Sequence, residues 1–483
     1  MKFRPLLACF ALLVGTSTFA QTTLTLDEAI RLGRDNSPIA KQILASYESN
    51  RWAYRSVQAG LKPQLVFDGA IPGYSRRIER ITQPDGSYLF RPVNQAFSFA
   101  SMSVEQAVLA TGGTVSLRSG LNRVDLFQFR DQSYWQTSPV SINYTQPLFR
   151  FNLLKWRVQQ QEILLSQATQ QQLENLEELS VGVASRFFDV YLATLQLRNA
   201  ASNQAINDTI YRIARGRYGL GKIAENELLQ VELSYTNARN SVEQNRVALT
   251  VAERQLQLLT GLVGTGSGFG VLPPLSASLV DPDPERALAE AKANRSDYLN
   301  FTLTENAAQR DLREANINRR FQGDLQLSYG LNQTAPNLAA AYRTPLSAQY
   351  AGATFTIPLL NFGKNKADAE VARYTLEAQQ RENENARNTL ELDVYTAVLE
   401  LKQLKTSLLI SAKSDTIAQK RYEVARNRYL IGKVDITNLL IAQQDKDAAL
   451  LAYVRTLQQY WTAYYRLRRL TLFDFEAGRK IGG

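Results

Sequence analysis

The chain has 483 residues, with 55 Lys and Arg against 45 Asp and Glu, a formal charge of +10, and no His at all. Without His the commonest general acid, proton shuttle and transition-metal ligand is missing, and the one cysteine, Cys9, leaves no partner for a disulfide or a thiolate metal site. No enzyme activity, cofactor or metal centre is therefore expected, and the bases lie within a turn or two of acids or amides, as on a solvated face, so nucleic acid is not an expected partner.

Lys2 and Arg4, the apolar run Leu6 to Val14 and the small-x-small ending Thr18-Phe19-Ala20 read as a signal peptide over residues 1–20. The run is too short to span a bilayer, and no later segment reaches the ~20 apolar residues a transmembrane helix needs. Leu6-Leu7-Ala8-Cys9 resembles a lipoprotein box, but no apolar run precedes it, so lipidation is not expected.

Past this leader the chain reads as two copies of one unit. At an offset of 211, Arg217-Tyr218-Gly219-Leu220-Gly221-Lys222-Ile223 falls on Arg428-Tyr429-Leu430-Ile431-Gly432-Lys433-Val434, and Pro147-Leu148 falls on Pro358-Leu359. The first repeat, 21–262, is predicted as a helix (Leu26 to Leu61, Pro38 its one break), strands over about 64–147, a long helix over 152–218, a tip turn and a helix over 223–260. A Gly/Pro linker, an equatorial region, covers 263–284. The second repeat, 285–483, has a helix from Glu285 to Arg320, a hairpin over about 324–358, a long helix over 362–429, a tip turn and a helix over 434–470.

The proline-free stretch from Asn152 to Tyr218 would make a rod of roughly 100 Å at 1.5 Å per residue. Leu176, Leu179, Val183, Phe187, Val190 and Leu197 recur at three-, four- and seven-residue steps, as do Leu390, Val394, Val398, Leu401, Leu404 and Leu408, with polar residues elsewhere. That pattern is a coiled coil, and it fits either a water-filled tunnel wall or a solvated rod.

The strands alternate with period two: Leu325, Leu327, Tyr329 and Leu331 against Gln326, Ser328, Gly330 and Asn332, and Val140, Ile142 and Tyr144 against Ser141, Asn143 and Thr145. One apolar and one polar face suit lipid outside and water within, and equally a half-buried soluble hairpin. No other layer is available to cover the apolar face, and one chain has too few strands for a barrel, whose smallest members need about eight. Several copies are thus expected to share one barrel under cyclic symmetry. The extra fifty or so residues of the first copy give either an added hairpin (Val93 to Val104 with Thr114 to Val124) or one long bent hairpin. Long loops are expected near Pro72 to Pro92 and Asn332 to Pro345, outside the cell.

Taken together, the duplicated order of parts resembles the TolC-like outer-membrane factors. The resemblance is carried by Leu24-Thr25-Leu26-Asp27-Glu28-Ala29-Ile30, Asn36-Ser37-Pro38, Gln146-Pro147-Leu148-Phe149, Pro358-Leu359-Leu360-Asn361-Phe362-Gly363 and the paired Arg-Tyr-x-x-Gly-Lys turns, and it covers essentially the whole mature chain. It implies an α+β membrane protein: a trimeric transmembrane β-barrel, four strands per copy, continuous with a long periplasmic α-helical coiled-coil tunnel built on two internal repeats. It further implies a homotrimer in the outer membrane of a Gram-negative cell, in contact with outer-membrane lipid and extending into the periplasm. A periplasmic adaptor and, indirectly, an inner-membrane pump would be its partners, and export of small molecules its function. Type I protein secretion would use the same conduit, and a periplasmic coiled-coil structural or adaptor protein is the alternative of another class.

The turns carry the sharpest expectation. Gly221 and Gly432 suit the left-handed position just past a helix C-terminus. The resemblance makes Arg217, Gly221, Lys222, Arg428, Gly432 and Lys433 adaptor-docking tips. The acidic rings that gate the family's best-known member are not carried over, because Asn438 and Ile441 stand at those positions; Glu227 and Asp435 are the remaining candidates for a gate.

Overall fold

The structure, a computed structural model, describes residues 23–127, 132–262, 270–274, 279–431, 433–434 and 436–482. The expected signal peptide with Cys9, part of the linker, and the candidates Gly432 and Asp435 lie outside the described residues. The first half holds β1 (Thr23–Thr25), α1 (Leu26–Asn36), α2 (Pro38–Gly60), β2 (Gln64–Thr82), β3 (Tyr88–Val108), β4 (Gly113–Leu126), β5 (Gln132–Leu148), α3 (Leu153–Gly219) and α4 (Glu225–Thr260). The rest holds β6 (Gly270–Leu272), α5 (Pro284–Asn294), α6 (Ser296–Asn318), β7 (Gln322–Ala335), β8 (Leu346–Thr356), α7 (Lys364–Leu430), α8 (Ile436–Thr471), β9 (Phe473–Asp474) and β10 (Arg479–Lys480). Helix lengths match in pairs: α1 and α5 have 11 residues, α2 and α6 23, α3 and α7 67, α4 and α8 36.

Local chemistry sets the first boundaries. Thr25 and Glu28 form a reciprocal capping box at the start of α1. Ser37, held extended before Pro38, ends that helix where the proline predicted a break. The helix expected from Glu285 to Arg320 is instead divided at Arg295, which is extended and caps α6 without a side-chain hydrogen bond. No Gly or Pro marks that break, so composition could not have found it.

The chain forms two compact units. One is drawn from the described residues of 1–43, 173–291 and 394–483. Its core is built from the heptad-like stripes: Leu179, Val183, Phe187 and Val190 of α3, Val394, Val398 and Leu401 of α7, Leu256 of α4, and Val454, Leu457, Tyr460 and Leu467 of α8 are all buried. A short parallel pairing of β1 with β6 and an antiparallel pairing of β9 with β10 also belong to this unit. Within the core Glu177 is fully buried and ion-paired to Arg34 and to Arg468, the latter at 3.3 Å. Arg468 also meets Asp474 at 3.1 Å, and the Tyr464 hydroxyl donates to Asp474 over 2.7 Å. Burial alone would push the Asp474 carboxyl up, but the Ala477 N–H, the Tyr464 hydroxyl and the Arg468 charge together hold it below the usual range.

The other unit comprises residues 44–172 and 292–393. It holds one antiparallel sheet in the order β2-β3-β4-β5-β7-β8. Six strands therefore stand in the sheet, not the four per copy that the resemblance implies. The additional residues of the first half form the added hairpin, β3 with β4, rather than a bend in one long hairpin. Both exits from the sheet to a long helix pass through a phenylalanine with positive φ, Phe149 (60°) and Phe362 (50°), a conformation that costs about 1–3 kcal/mol for a non-glycine residue. Near the helices, Asn383 donates to the Phe301 carbonyl at 3.0 Å and Lys292 pairs with Glu391 at 2.6 Å. Among the described residues no helix is long and apolar enough to cross a membrane.

Candidate functional site: the helical tips and the two-faced sheet

At the first tip the α3 C-terminus closes by two backbone bonds: the Lys222 N–H donates to the Arg217 carbonyl at 2.9 Å and the Gly221 N–H to that of Tyr218 at 2.8 Å. This six-to-one and five-to-two pattern, with Gly221 at φ +67°, is a Schellman cap. The second tip repeats the outer bond, Lys433 N–H to the Arg428 carbonyl, again at 2.9 Å. Arg217 and Arg428 thus serve the turns through their carbonyls, and both side chains are exposed. Lys222 and Lys433 project into solvent beside Leu220 and Ile431, which are 73% and 65% exposed. Those two apolar residues went unrecognised in the sequence, although they occupy equivalent places in the aligned turns.

A Cβ at residue 221 would meet no atom within 4 Å, so a substitution there costs backbone strain alone. Gly221→Ala is expected to weaken the first turn by about 1–2 kcal/mol. Hydrogen exchange should register this as faster exchange of the Lys222 amide with core helix amides unchanged; equal rates would mean that the turn is held by something other than the cap.

Glu227 sits exposed in the first turn of α4 together with Glu225, where a carboxylate favours the positive end of the helix. That structural role accounts for it without a gate. Asp435 lies outside the described residues, so the geometry does not bring this pair together. What does join the arms of each hairpin is a matched set of ring contacts. Tyr211 stacks on Tyr235 with centroids 5.5 Å apart and planes 4° from parallel, and in the second hairpin the Lys446 ammonium lies 4.5 Å from the centre of Tyr422. Both members of the second pair are displaced by 211 from the first, and beside them Arg421 pairs with Asp445.

The sheet presents two unlike faces. One register row runs Leu65, Val104, Leu117, Ile142, Tyr329 across β2, β3, β4, β5 and β7, and all five are exposed. The adjacent row on the opposite face runs Gln64, Glu105, Ser116, Asn143, Ser328. On that polar side Arg118 donates to the Ser101 hydroxyl at 3.0 Å. Among the described residues no group of acidic or cysteine side chains is placed to hold a metal ion.

A family model described as outer membrane efflux protein matches residues 101–262 and 287–471. No curated protein matches the sequence. Among solved structures, the chain resembles the Campylobacter jejuni CmeC outer membrane channel at 14% identity, covering 95% of this chain and 87% of that one with a TM-score of 0.66. It also resembles the open state of the Neisseria gonorrhoeae MtrE outer membrane channel (14%, 95% and 91%, 0.63) and the Vibrio cholerae outer membrane protein VceC (12%, 94% and 96%, 0.62). At these identities the likeness establishes the fold.

Proposed function

The chain belongs to the outer membrane efflux protein family, and on that premise we propose that it is the channel-tunnel of a tripartite efflux system. As an efflux channel of the outer membrane it is a conduit and not an enzyme by family. In the proposed assembly three copies share a transmembrane barrel and a periplasmic helical tunnel, through which small molecules pass passively from a pump to the exterior. The observation that carries the reading is the two-faced sheet: an exposed apolar face running through strand after strand, backed by a polar one, suits lipid on one side and water on the other. A periplasmic scaffold would have no use for it. The equal lengths of the paired helices support two internal repeats.

The test is bilayer recording and gel migration of the detergent-extracted protein. A heat-modifiable trimer that conducts ions is expected; a monomer at every temperature, without conductance, would overturn the reading.

The tips are the proposed adaptor-docking surface, with Leu220 and Ile431 supplying apolar contact and Lys222 and Lys433 the charge. Lys222→Glu with Lys433→Glu is expected to reduce co-purification of the adaptor at least tenfold while leaving the trimer intact. Retention of the adaptor would move the docking site elsewhere. For the gate, Glu227→Ala with Asp435→Ala is expected to raise single-channel conductance, and an unchanged conductance would remove those two residues from the role.

A further inference from the structure

We infer that each copy contributes six strands to the barrel wall and that three copies close it, β2 of one against β8 of the next, as an eighteen-stranded barrel. The inference rests on the proposed shared-barrel channel and goes beyond it, since the resemblance alone implies twelve strands.

The hairpin of β2 with β3 could have folded away from the wall, but its side chains obey the same two-faced order as the rest. Leu65 and Phe67 of β2 and Met102 and Val104 of β3 lie in register with Leu117 of β4 and are exposed on the same face. Asp68, Ser101, Ser103 and Glu105 lie on the other, in register with Ser116 and Arg118. A ribbon standing in water would have no reason to keep an apolar face continuous with a lipid-facing one.

The pairing of β3 with β4 is also unbroken from Gln95↔Leu126 to Val108↔Gly113. Opening it to free β4 as an edge would forfeit that ladder. The sheet's actual edges are β2 and β8. An unpaired edge in hydrocarbon leaves each N–H and C=O unsatisfied, so both edges must find a strand.

Direction permits only one economical answer. Six consecutive antiparallel neighbours place β2 and β8 in opposite senses, so β2 of one copy meets β8 of the next antiparallel and the alternation continues around the ring. The eleven residues of β8 can cover only part of the nineteen of β2. Beyond the register shift between Ala70 and Gly73, β2 and β3 continue as a two-stranded ribbon past the end of β4, carrying Arg76, Arg77, Arg80 and Arg91. In this assembly the ribbon stands above the barrel rim. Because barrel diameter grows roughly linearly with strand number, the opening is about 1.5 times as wide as that of a twelve-stranded barrel.

Cysteine cross-linking in outer-membrane vesicles separates the alternatives. Phe67→Cys on β2 and Ala351→Cys on β8, made in one chain, are expected to give an oxidised ladder that ends at three copies, and Leu65→Cys with Ala351→Cys samples a register shifted by two residues on the same face. Leu117→Cys on β4 with Ala351→Cys is expected to give none. A ladder from the β4 pair and not from the β2 pairs would overturn the inference in favour of twelve strands while leaving the channel reading intact. A β2 ladder that stops at two copies would overturn the trimer closure. A protein that neither cross-links nor migrates as a heat-modifiable oligomer would overturn the channel reading itself. As a second readout, a fluorophore on Met102→Cys is expected to be quenched by brominated lipid; full emission would place the hairpin in water and overturn the inference.

Discussion

Glu177→Ala is expected to destabilise the protein by about 3 kcal/mol, while the neighbouring Glu178→Ala costs under about 1 kcal/mol. Glu177 is wholly buried and carries the only negative charge shared by Arg34 and Arg468 among the described pairs; Glu178 is exposed and pairs with Arg469. Removing a buried partner strands the charges left behind, which typically costs about 3–5 kcal/mol. The lower end applies because Arg34 is 29% exposed and keeps access to water, and because Arg468, 16% exposed, retains Asp474 as a partner. Thermal unfolding of the detergent-solubilised protein followed by helical circular dichroism distinguishes the two variants. Equal shifts would mean that the Arg34, Glu177 and Arg468 cluster contributes no more than a surface pair.

This cluster shows where sequence reading stops. Arg34 and Glu177 are 143 residues apart, and Glu177 and Arg468 are 291 apart, so no local pattern announces their meeting. The stripe that surrounds Glu177 was legible, because Leu179, Val183, Phe187 and Val190 repeat with the helix period and are all buried. The same stripe left out Phe188 and Leu195, buried neighbours off the regular spacing, which pack because more than one helix surrounds α3. The first tip turn was legible in the motif itself, since Gly221 at the left-handed position and the helix ending before it follow from local chemistry. The pairing of β1 with β6 was not, because two three-residue strands so far apart in sequence carry no periodicity. For the sheet, alternation identified the strands one by one, but their number depended on whether β3 and β4 pair as an added hairpin. Length could not decide that, and the resemblance pointed to four. The gate remained the least legible feature: Glu227 has a sufficient structural reason for being where it is, and Asp435, the acid proposed to face it, lies outside the described residues.

Ile142→Arg is expected to cost about 2–4 kcal/mol per copy and to deplete the protein from the outer membrane, whereas Asn143→Arg, one residue on, leaves insertion nearly unchanged. The two positions occupy successive rows of β5 and hence opposite faces of the sheet. Ile142 stands between Leu117 and Tyr329 in the exposed apolar row, where an arginine would have to leave water for lipid. Asn143 stands between Ser116 and Ser328, with Arg118 already on that face, so in the proposed channel a further guanidinium stays hydrated. In the proposed trimer all three copies carry the change, so the penalty for the assembly is roughly three times the single-site figure, enough to empty the inserted state of a marginally stable protein. The measurement is the ratio of heat-modifiable oligomer to total protein in the outer-membrane fraction. If both variants insert alike, the apolar row does not face lipid; if Asn143→Arg fails and Ile142→Arg inserts, the faces are reversed and the polar rows meet something other than water.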